Sequence, residues 1–433
     1  MTLTIGDKLK LDVIRLGIHG EGVAHYGGLV CFIPGALTGE AVLAEVIEVK
    51  KSYASLKLLK ILTPSIDRVD PPCPLFGTCG GCQVQHLSYK AQLEMKRSRV
   101  IDAFQRIGKL QVEVDACQSS PKELHYRNKI QMPSKGGKLG LFRMGSNDWV
   151  EVDKCLIHCD LGEMVLRAIR PIEIPDLRYL VLKTAIKTNE VLVVPVVRRP
   201  LSKSIAEKIY RSLPEIKGVV QNLNPDAGNT ILSRNFETLA GRGTITERIL
   251  DLEFHVSPAS FFQVNPAQAE ALYSTALDRA QLKGDEVVLD AFCGVGTLAL
   301  IFAKHAKEII GVEIVAEAIK DAKANAINNG IINAQFYHAP AEKFIQKLSA
   351  VDVVLLNPPR KGCDLSVIQK LLELKPKKII YVSCDPATLA RDSALLSGTY
   401  RIDSVTPFDM FPQTAHVETL VELNLSSIPR STL

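Results

Sequence analysis

Six short apolar runs alternate with helical patterns from about residue 251 onward, and this rhythm restricts the fold more than any other feature of the sequence. Near-continuous apolar runs are typical of strands whose two faces are both covered, as in a parallel sheet. Strict alternation of strand and helix builds right-handed βαβ units, so residues 251–433 are predicted to form a doubly wound α/β domain. The expected strands are 286–291, 308–313, 334–338, 352–357, 378–383 and 417–424, and the expected helices are 297–306, 315–329, 364–374 and 386–397.

The first 60 residues follow a different pattern. The runs LKLDVIRL, GLVCFIPG and AVLAEVIEV are separated by glycine-rich turns, a spacing that suits a small β-barrel. The prolines of the following TPSIDRVDPPCP cannot continue a strand ladder, and a domain boundary is expected there. Residues 61–250 then form a mixed α+β central domain, which includes a helix candidate at 86–108.

Several classes of protein are excluded by what the sequence lacks. It has no run of 18 uncharged apolar residues and no apolar signal-peptide core, which predicts a cytoplasmic protein without a membrane span. Disulfides are unexpected in that reducing compartment, so its ten cysteines point to metal or catalytic roles. The net charge is only +5, but 12 Lys and Arg against 5 Asp and Glu lie between Lys90 and Arg143, a local excess that weakly favours a nucleic-acid partner.

A glycine turn follows the first strand of the α/β region, in the segment DAFCGVGT that ends at Thr297. Gly294 and Gly296 would let the backbone approach a ligand, and Glu313 ends the next strand, where an acid accepts hydrogen bonds from ribose hydroxyls. The third glycine of a dinucleotide fingerprint is missing, which favours an adenosine ligand such as S-adenosylmethionine over a pyrophosphate. A tight turn without a ligand is the alternative.

Two further motifs end later strands of the same series. In NPPR, two prolines would hold the Asn357 amide at the carboxyl edge of the sheet, where it could bond a base or a methyl donor. In SCDP, Cys384 lies between a strand and a helix that Asp385 caps. The helix N-terminus is expected to lower the pKa of the thiol and to make it a nucleophile. A strand-ending turn and a structural cysteine are the respective alternatives.

The segment FPQTAHVE precedes the last expected strand. His416 and Glu418 alternate there and would face one side, so that either could act as a general base. A solvated surface glutamate is the alternative.

Three cysteines stand within ten residues, in CPLFGTCGGC, at a spacing that could wrap one metal centre. Zinc sites usually show paired CxxC knuckles, whereas an unequal three-plus-one pattern in a Gly/Pro loop favours an iron–sulfur cluster. Zinc and unliganded thiols stay open. The cluster of three is Cys73, Cys79 and Cys82, and the candidate fourth ligands are Cys155 and Cys159, with Cys31 and Cys117 behind them.

Taken together, these motifs resemble the bacterial RNA uracil-5-methyltransferases, in particular the branch that carries a [4Fe–4S] cluster and methylates 23S ribosomal RNA. The resemblance covers nearly the whole chain. The motifs that carry it, in family order, are CPLFGTCGGCQVQHLSYKAQLEMK, HYRNKIQ, SPASFFQVNPAQAEALY, DAFCGVGT, NPPRKG, YVSCDPATLARD and FDMFPQTAHVETL.

The resemblance implies three parts: a TRAM RNA-binding barrel at 1–60, a central α+β domain with an iron–sulfur loop at 61–250, whose 86–108 helix packs on the catalytic domain, and a Rossmann-like methyltransferase domain at 251–433. It implies S-adenosylmethionine and a [4Fe–4S] cluster as cofactors, 23S rRNA as partner, and a monomer. The resemblance implies that Cys384 is the nucleophile, that Glu418 is the base and that Phe261 stacks on the target base. The residues implied to bind S-adenosylmethionine are Gln263, Phe292, Gly294, Gly296, Thr297, Glu313 and Asn357. The residues implied to ligate the cluster are Cys73, Cys79, Cys82 and Cys155.

The sequence departs from the family pattern at three positions. Many members have Asp at the position of Asn357 and Asn at the position of Asp385. Many also have an acid that contacts adenine at the position where this chain has Pro340. Four rival functions stay open: a tRNA uracil-5-methyltransferase, an amino methyltransferase that uses NPPR, a non-catalytic RNA-binding or ribosome-assembly factor, and a redox protein that uses the cluster for electron transfer.

Overall fold

The computed structural model describes residues 3–226 and 228–426. The N-terminal part is a six-stranded sheet of order β1-β5-β6-β4-β3-β2. Alternate residues of β1 are buried, because the leucines of KLKLD face inward and its charged residues face water. The strands are β1 (Lys8–Asp12), β2 (Arg15–Leu16), β3 (Gly22–Tyr26), β4 (Leu29–Ile33), β5 (Ala41–Val49) and β6 (Tyr53–Thr63).

Helix α1 (Tyr89–Ala103) follows the cysteine-containing segment and continues as a π-helical turn, Phe104–Gly108. The Ser88 hydroxyl caps the helix by accepting from the Ala91 N–H. Val100 and Phe104 are fully buried, in the same apolar core as residues of the C-terminal sheet. Helix α1 is therefore part of the C-terminal core, although some 180 residues separate it from that sheet in sequence.

The central part is a seven-stranded sheet of order β13-β12-β11-β10-β7-β8-β9, with two helices packed against it. Nearly every residue of β10 and β11 is buried, as the run VLVVPVV requires. The elements are β7 (Lys129–Lys135), β8 (Lys138–Phe142), β9 (Trp149–Glu151), α2 (Asp160–Ile169), β10 (Leu177–Ala185), β11 (Glu190–Val197), α3 (Lys203–Tyr210), β12 (Ile216–Leu223) and β13 (Phe236–Gly241).

A hairpin of β14 (Ile245–Ile249) and β15 (Leu252–Val256) spans the expected boundary at residue 250. Ile249 and Phe254 are buried in the core of the C-terminal part, whereas Ile245 and Val256 are buried against the central sheet. The hairpin is thus shared by the two cores.

The C-terminal part is a seven-stranded sheet of order β18-β17-β16-β19-β20-β22-β21. Its first five strands are parallel and its last two pair antiparallel. The order reverses between β16 and β19, and ligands bind at such a switch point in open α/β sheets. The elements are α4 (Pro266–Ala280), β16 (Val287–Asp290), α5 (Thr297–Ala303), β17 (Glu308–Glu313), α6 (Ala316–Asn328), β18 (Ala334–His338), α7 (Ala341–Phe344), β19 (Val353–Leu356), α8 (Leu365–Leu374), β20 (Lys378–Ser383), α9 (Pro386–Leu396), β21 (Tyr400–Phe408) and β22 (Glu418–Leu425).

The predicted α/β alternation is confirmed, since each expected strand and helix of this region overlaps an observed one. Strand β21 was not expected. Its sequence, YRIDSVTPF, is broken by charged residues and a proline, because it lies at the edge of the sheet and only its second half is buried throughout. Within the described residues no helix is long and apolar enough to cross a membrane.

Candidate active site

The glycine turn after β16 lies at the switch point of the sheet. Gly294 and Gly296 have positive φ angles of 53° and 83°. A Cβ on Gly296 would stand 3.1 Å from the ring of Phe336, so only glycine fits there without displacement. The Gly294 N–H donates to Glu313 Oε2 (3.2 Å), which fixes the acid at the end of β17 against the turn. The structure therefore brings together the predicted turn and the predicted acid.

Asp290, the last residue of β16, has an unused acceptor. Its Oδ1 accepts from the Phe292 N–H (3.3 Å), but its Oδ2 is buried and has no hydrogen-bond partner among the residues that the structure describes. Burial raises the pKa of Asp290 to about 7. A buried polar atom without a partner is costly, and it marks a place where a polar ligand fits.

Gln263 and Phe261 lie in the segment before α4. Gln263 is buried, and its carbonyl accepts from the Asn128 side chain of the HYRNKIQ motif (3.2 Å). Gln263 lies near Tyr273, a buried α4 residue whose pKa is raised by burial and by the nearby Glu418 and Asp290. Tyr273 was not predicted as a site residue. Phe261, by contrast, is 66% exposed, as a stacking surface must be.

The antiparallel register of β20 and β22 brings the predicted nucleophile and base together. The last paired residues are Ser383 and Thr419, so Cys384 and Glu418 stand opposite each other at the next position. Side chains directly opposite in such a ladder have Cβ atoms about 5 Å apart. Glu418 is 3% exposed, which excludes the solvated surface glutamate considered above.

The surroundings of Cys384 contradict the prediction that the pKa of its thiol is lowered. Burial raises the pKa of the Cys384 thiol, the Glu418 carboxylate raises it further, and the Arg360 guanidinium lowers it in part. The predicted lowering by the α9 N-terminus was wrong, because burial and the neighbouring carboxylates of Glu418 and Asp385 outweigh it; the Asp385 side chain caps the helix by accepting from Ala387 and Thr388 at 2.9 and 3.0 Å. The thiol is thus held in its neutral form until a base or substrate acts on it.

The pKa values of Glu418 and His416 are shifted in opposite directions. Burial raises the pKa of Glu418 to about 8, with Arg360 opposing. Burial and the cations Arg360 and Arg99 lower the pKa of His416 to about 4. A carboxyl group that titrates near neutral pH is the better general base of the two.

The four cysteines named by the resemblance line one cavity of about 390 Å³: Cys73, Cys79, Cys82 and Cys155. Burial, together with the other thiols, raises the pKa of Cys82 to about 12. Cys159 lies elsewhere, at the start of α2, and burial raises the pKa of its thiol. In the described part of the chain, no three His, Cys, Asp or Glu side chains converge as the ligands of one ion do. Phe261 lines the mouth of the same cavity.

A second cleft, of about 800 Å³, opens beside the nucleophile. Its walls come from β2, helix α1 and the first turn of α9, next to Cys384. Lys90 of α1, Arg106 of the π-helical turn that follows it and Arg15 of β2 supply cations, and Asp102 pairs with both arginines.

Comparison with known proteins gives a consistent result. The sequence model of a family described as tRNA (Uracil-5-)-methyltransferase matches residues 237–426. An uncharacterized RNA methyltransferase of Clostridium acetobutylicum is 42% identical over 440 residues, which cover 95% of this chain and 96% of that protein. One from Clostridium tetani is 39% identical, with 95% of each chain covered.

Among solved structures, the fold is similar to that of the Pyrococcus abyssi tRNA (uracil-54, C5)-methyltransferase in complex with S-adenosyl-L-homocysteine. The TM-score is 0.79 and the sequence identity 27%, and the match covers 96% of this chain and all of that one.

Proposed function

The chain belongs to the RNA (uracil-5-)-methyltransferase family, and from this premise we propose that it methylates C5 of a specific uridine in 23S ribosomal RNA. The observation that carries the proposal is the pairing of Cys384 with Glu418 at the sheet edge that also holds the glycine turn. The ribosomal substrate follows from the resemblance of the cysteine motif. A tRNA uridine is the second candidate, favoured by the name of the Pyrococcus relative.

S-adenosylmethionine fits the residues around the glycine turn. Asp290 Oδ2 is a buried acceptor that no group in residues 3–226 and 228–426 pairs with, and Glu313 stands where ribose hydroxyls are bound in nucleotide-binding α/β folds. When bound, the cofactor supplies an electrophilic methyl group. The residues that would hold it are Gln263, Phe292, Gly294, Gly296, Thr297, Glu313 and Asn357.

The chain's own residues divide the chemistry between them. Cys384 first loses its thiol proton to solvent and then adds to C6 of the uracil as the thiolate, which turns C5 into an enolate carbon and makes it nucleophilic. Once C5 carries the new methyl group, Glu418 removes the remaining C5 proton, and the electron pair left behind expels the thiolate. Arg360 acts on both groups, because its charge favours the ionised form of each.

The RNA must present its target base outside a stacked helix for this chemistry. We propose that Phe261 stacks on the base and that the flanking strand follows the cleft beside α1. The sheet β1–β6 would act as a TRAM domain, since Lys8 and Lys10 of β1 and Lys57 and Lys60 of β6 are exposed and available to phosphates.

The four cavity cysteines are proposed to hold a [4Fe–4S] cluster. All four donors are thiols. A cluster of four irons takes one thiolate per iron, so the ligands of a cluster lie further apart than the ligands of a single metal ion. All ten cysteines are free, as expected of a cytoplasmic protein. We further propose that the protein is a cytoplasmic monomer.

The test of this function is covalent trapping. The protein and S-adenosylmethionine are mixed with 23S rRNA fragments that carry 5-fluorouridine, and the products are run on a denaturing gel. Fluorine at C5 cannot leave as a proton does, so a slow-migrating RNA–protein band is expected, and Cys384→Ala must abolish it. A band on tRNA alone would overturn the ribosomal substrate. Methylation that persists in Cys384→Ala would indicate an amino methyltransferase.

A further inference from the structure

We propose that a polar face of helix α1, formed by Gln92, Lys96 and Arg99, positions Glu418 for proton abstraction. It does so by fixing residues 409–417, which join β21 to β22 and are called here the base loop. This inference rests on the proposed function. It adds positioning residues that lie more than 300 positions before the base in sequence.

Gln413, in the middle of the base loop, has three of its polar groups bound from outside the loop. Its N–H donates to Gln92 Oε1 (3.0 Å), and Gln92 Nε2 donates to Gln413 Oε1 (3.1 Å). Its carbonyl accepts from the N–H groups of Gln83 and Val84 (3.1 and 3.2 Å), directly after the ligand candidate Cys82. Gln413 has φ of +69°, a left-handed conformation that is strained for a non-glycine residue. The contacts from α1 and from the cysteine segment hold the residue in that conformation.

Two more residues of α1 bind the loop on either side of Gln413. The Lys96 ammonium donates to the Asp409 carboxylate and to the Phe411 carbonyl (3.0 Å), and both charged side chains are completely buried. Arg99 Nη1 donates to the Ala415 carbonyl (2.6 Å). Positions 92, 96 and 99 lie on one face of a helix, so this face meets the loop along its length.

A polar interface of this kind is not needed for packing. Buried polar and charged groups contribute little net stability compared with apolar side chains of the same shape, and they cost free energy when left unpaired. What they add is one defined geometry. In the described part of the chain no hydrogen bond of its own holds the Glu418 carboxyl group, so the backbone of the base loop and β22 sets its position.

The variant Gln92→Met tests the proposal, because it removes every amide contact at nearly the same volume. Glu418 acts only after the thiol has added, so Gln92→Met is expected to lower kcat by about 10- to 100-fold. KM for RNA and for S-adenosylmethionine should change less than about threefold. The 5-fluorouridine adduct should form at the wild-type rate, whereas on ordinary uridine RNA the variant should accumulate a covalent Cys384–RNA band that the wild type does not.

Two further variants make the result specific. Glu373→Gln changes an exposed residue of α8, away from the cleft and from the base loop, and should leave all four measurements unchanged. Gln92→Glu keeps an acceptor for the Gln413 N–H and should recover part of the lost kcat. The proposal fails if Gln92→Met keeps the wild-type kcat, or if its 5-fluorouridine adduct forms more slowly in proportion to kcat, because the helix would then serve Cys384 or the fold. Wild-type protein that forms no adduct at all would instead overturn the proposed function.

Discussion

Cys384 and Glu418 face each other one position beyond the last paired residues of β20 and β22. Burial in the same part of the protein removes water from both side chains. Their proximity raises the pKa of the thiol, and burial raises the pKa of the carboxyl group to about 8. At neutral pH the pair is therefore mostly protonated. The two groups share one environment but act at different steps, so their pH dependences can be separated.

The first prediction concerns the rate of adduct resolution. Since Glu418 must be ionised to accept the C5 proton, the rate at which the Cys384 adduct on ordinary uridine RNA disappears should rise with pH and level off above about pH 8. Single-turnover measurements with labelled S-adenosylmethionine give this rate, and 5-fluorouridine adduct formation reports the thiol alone. A resolution rate that is constant from pH 6 to pH 9 would contradict the assignment.

The second prediction concerns stability. The folded-state pKa of Glu418 is raised, so its protonated form stabilises the fold below its ordinary pKa, and this stability is lost as the pH rises through about 8. Glu418→Gln cannot ionise and avoids the loss, which is at most about 5 kcal/mol. The melting temperature of Glu418→Gln relative to wild type should therefore increase from pH 5 to pH 9. Glu317→Gln, at an exposed site, should show no such trend.

Local sequence patterns predicted the α/β part of the fold and the composition of the candidate site. Strand ends such as Asp290 and Ser383 are visible in sequence because apolar runs stop there and turn residues follow. Residues at the carboxyl ends of parallel strands then meet at one edge, which is why Glu313 and Gly294 could be grouped without coordinates.

Properties that depend on distant contacts were not predictable in this way. The direction of the Cys384 pKa shift depends on burial and on Glu418 and Arg360, which no window around SCDP contains. Gln92 looks like an ordinary helix-surface residue, and only the tertiary structure shows that it binds Gln413. The one local signal was the set of polar residues at positions 92, 96 and 99, which gives α1 a polar face at helical spacing.

The third prediction concerns a buried lysine of the central sheet. Lys183 donates to the carbonyls of Ser257 and Ser260 at 2.6 and 2.5 Å, and so holds the segment that leads to Phe261 and Gln263. Lys183→Met leaves both carbonyls unpaired and frees this segment. Binding of S-adenosylhomocysteine, measured by calorimetry, should weaken about tenfold, which is about 1.4 kcal/mol.

The control for this prediction is Lys203→Met, a substitution at an exposed position of helix α3, which packs against the same sheet. This variant should bind S-adenosylhomocysteine as the wild type does. Equal affinity in the wild type and in Lys183→Met would show that the 257–260 segment needs no support from the central sheet.

The fourth prediction concerns the cleft beside α1. Lys90 is exposed on its wall and is expected to contact an RNA phosphate. Lys90→Ala should raise KM for RNA without a change in kcat, and should reduce the slope of log affinity against log salt by roughly 0.7 to 0.9. Lys283 is exposed in the loop before β16, at the amino-terminal ends of the parallel strands. Lys283→Ala should change neither KM for RNA nor the salt slope. An unchanged salt slope in Lys90→Ala would remove the cleft from the RNA path.

The last prediction separates the two candidate fourth ligands of the cysteine cavity. Cys155 lines the cavity with the other three thiols, whereas Cys159 lies at the start of α2, outside the lining of that cavity. Protein purified without oxygen should contain on the order of four iron and four sulfide per chain. Cys155→Ala should lose most of both, and Cys159→Ala should keep them, as measured by metal analysis and absorbance. Bound zinc without sulfide would refute the cluster, and iron loss in Cys159→Ala alone would reverse the ligand assignment.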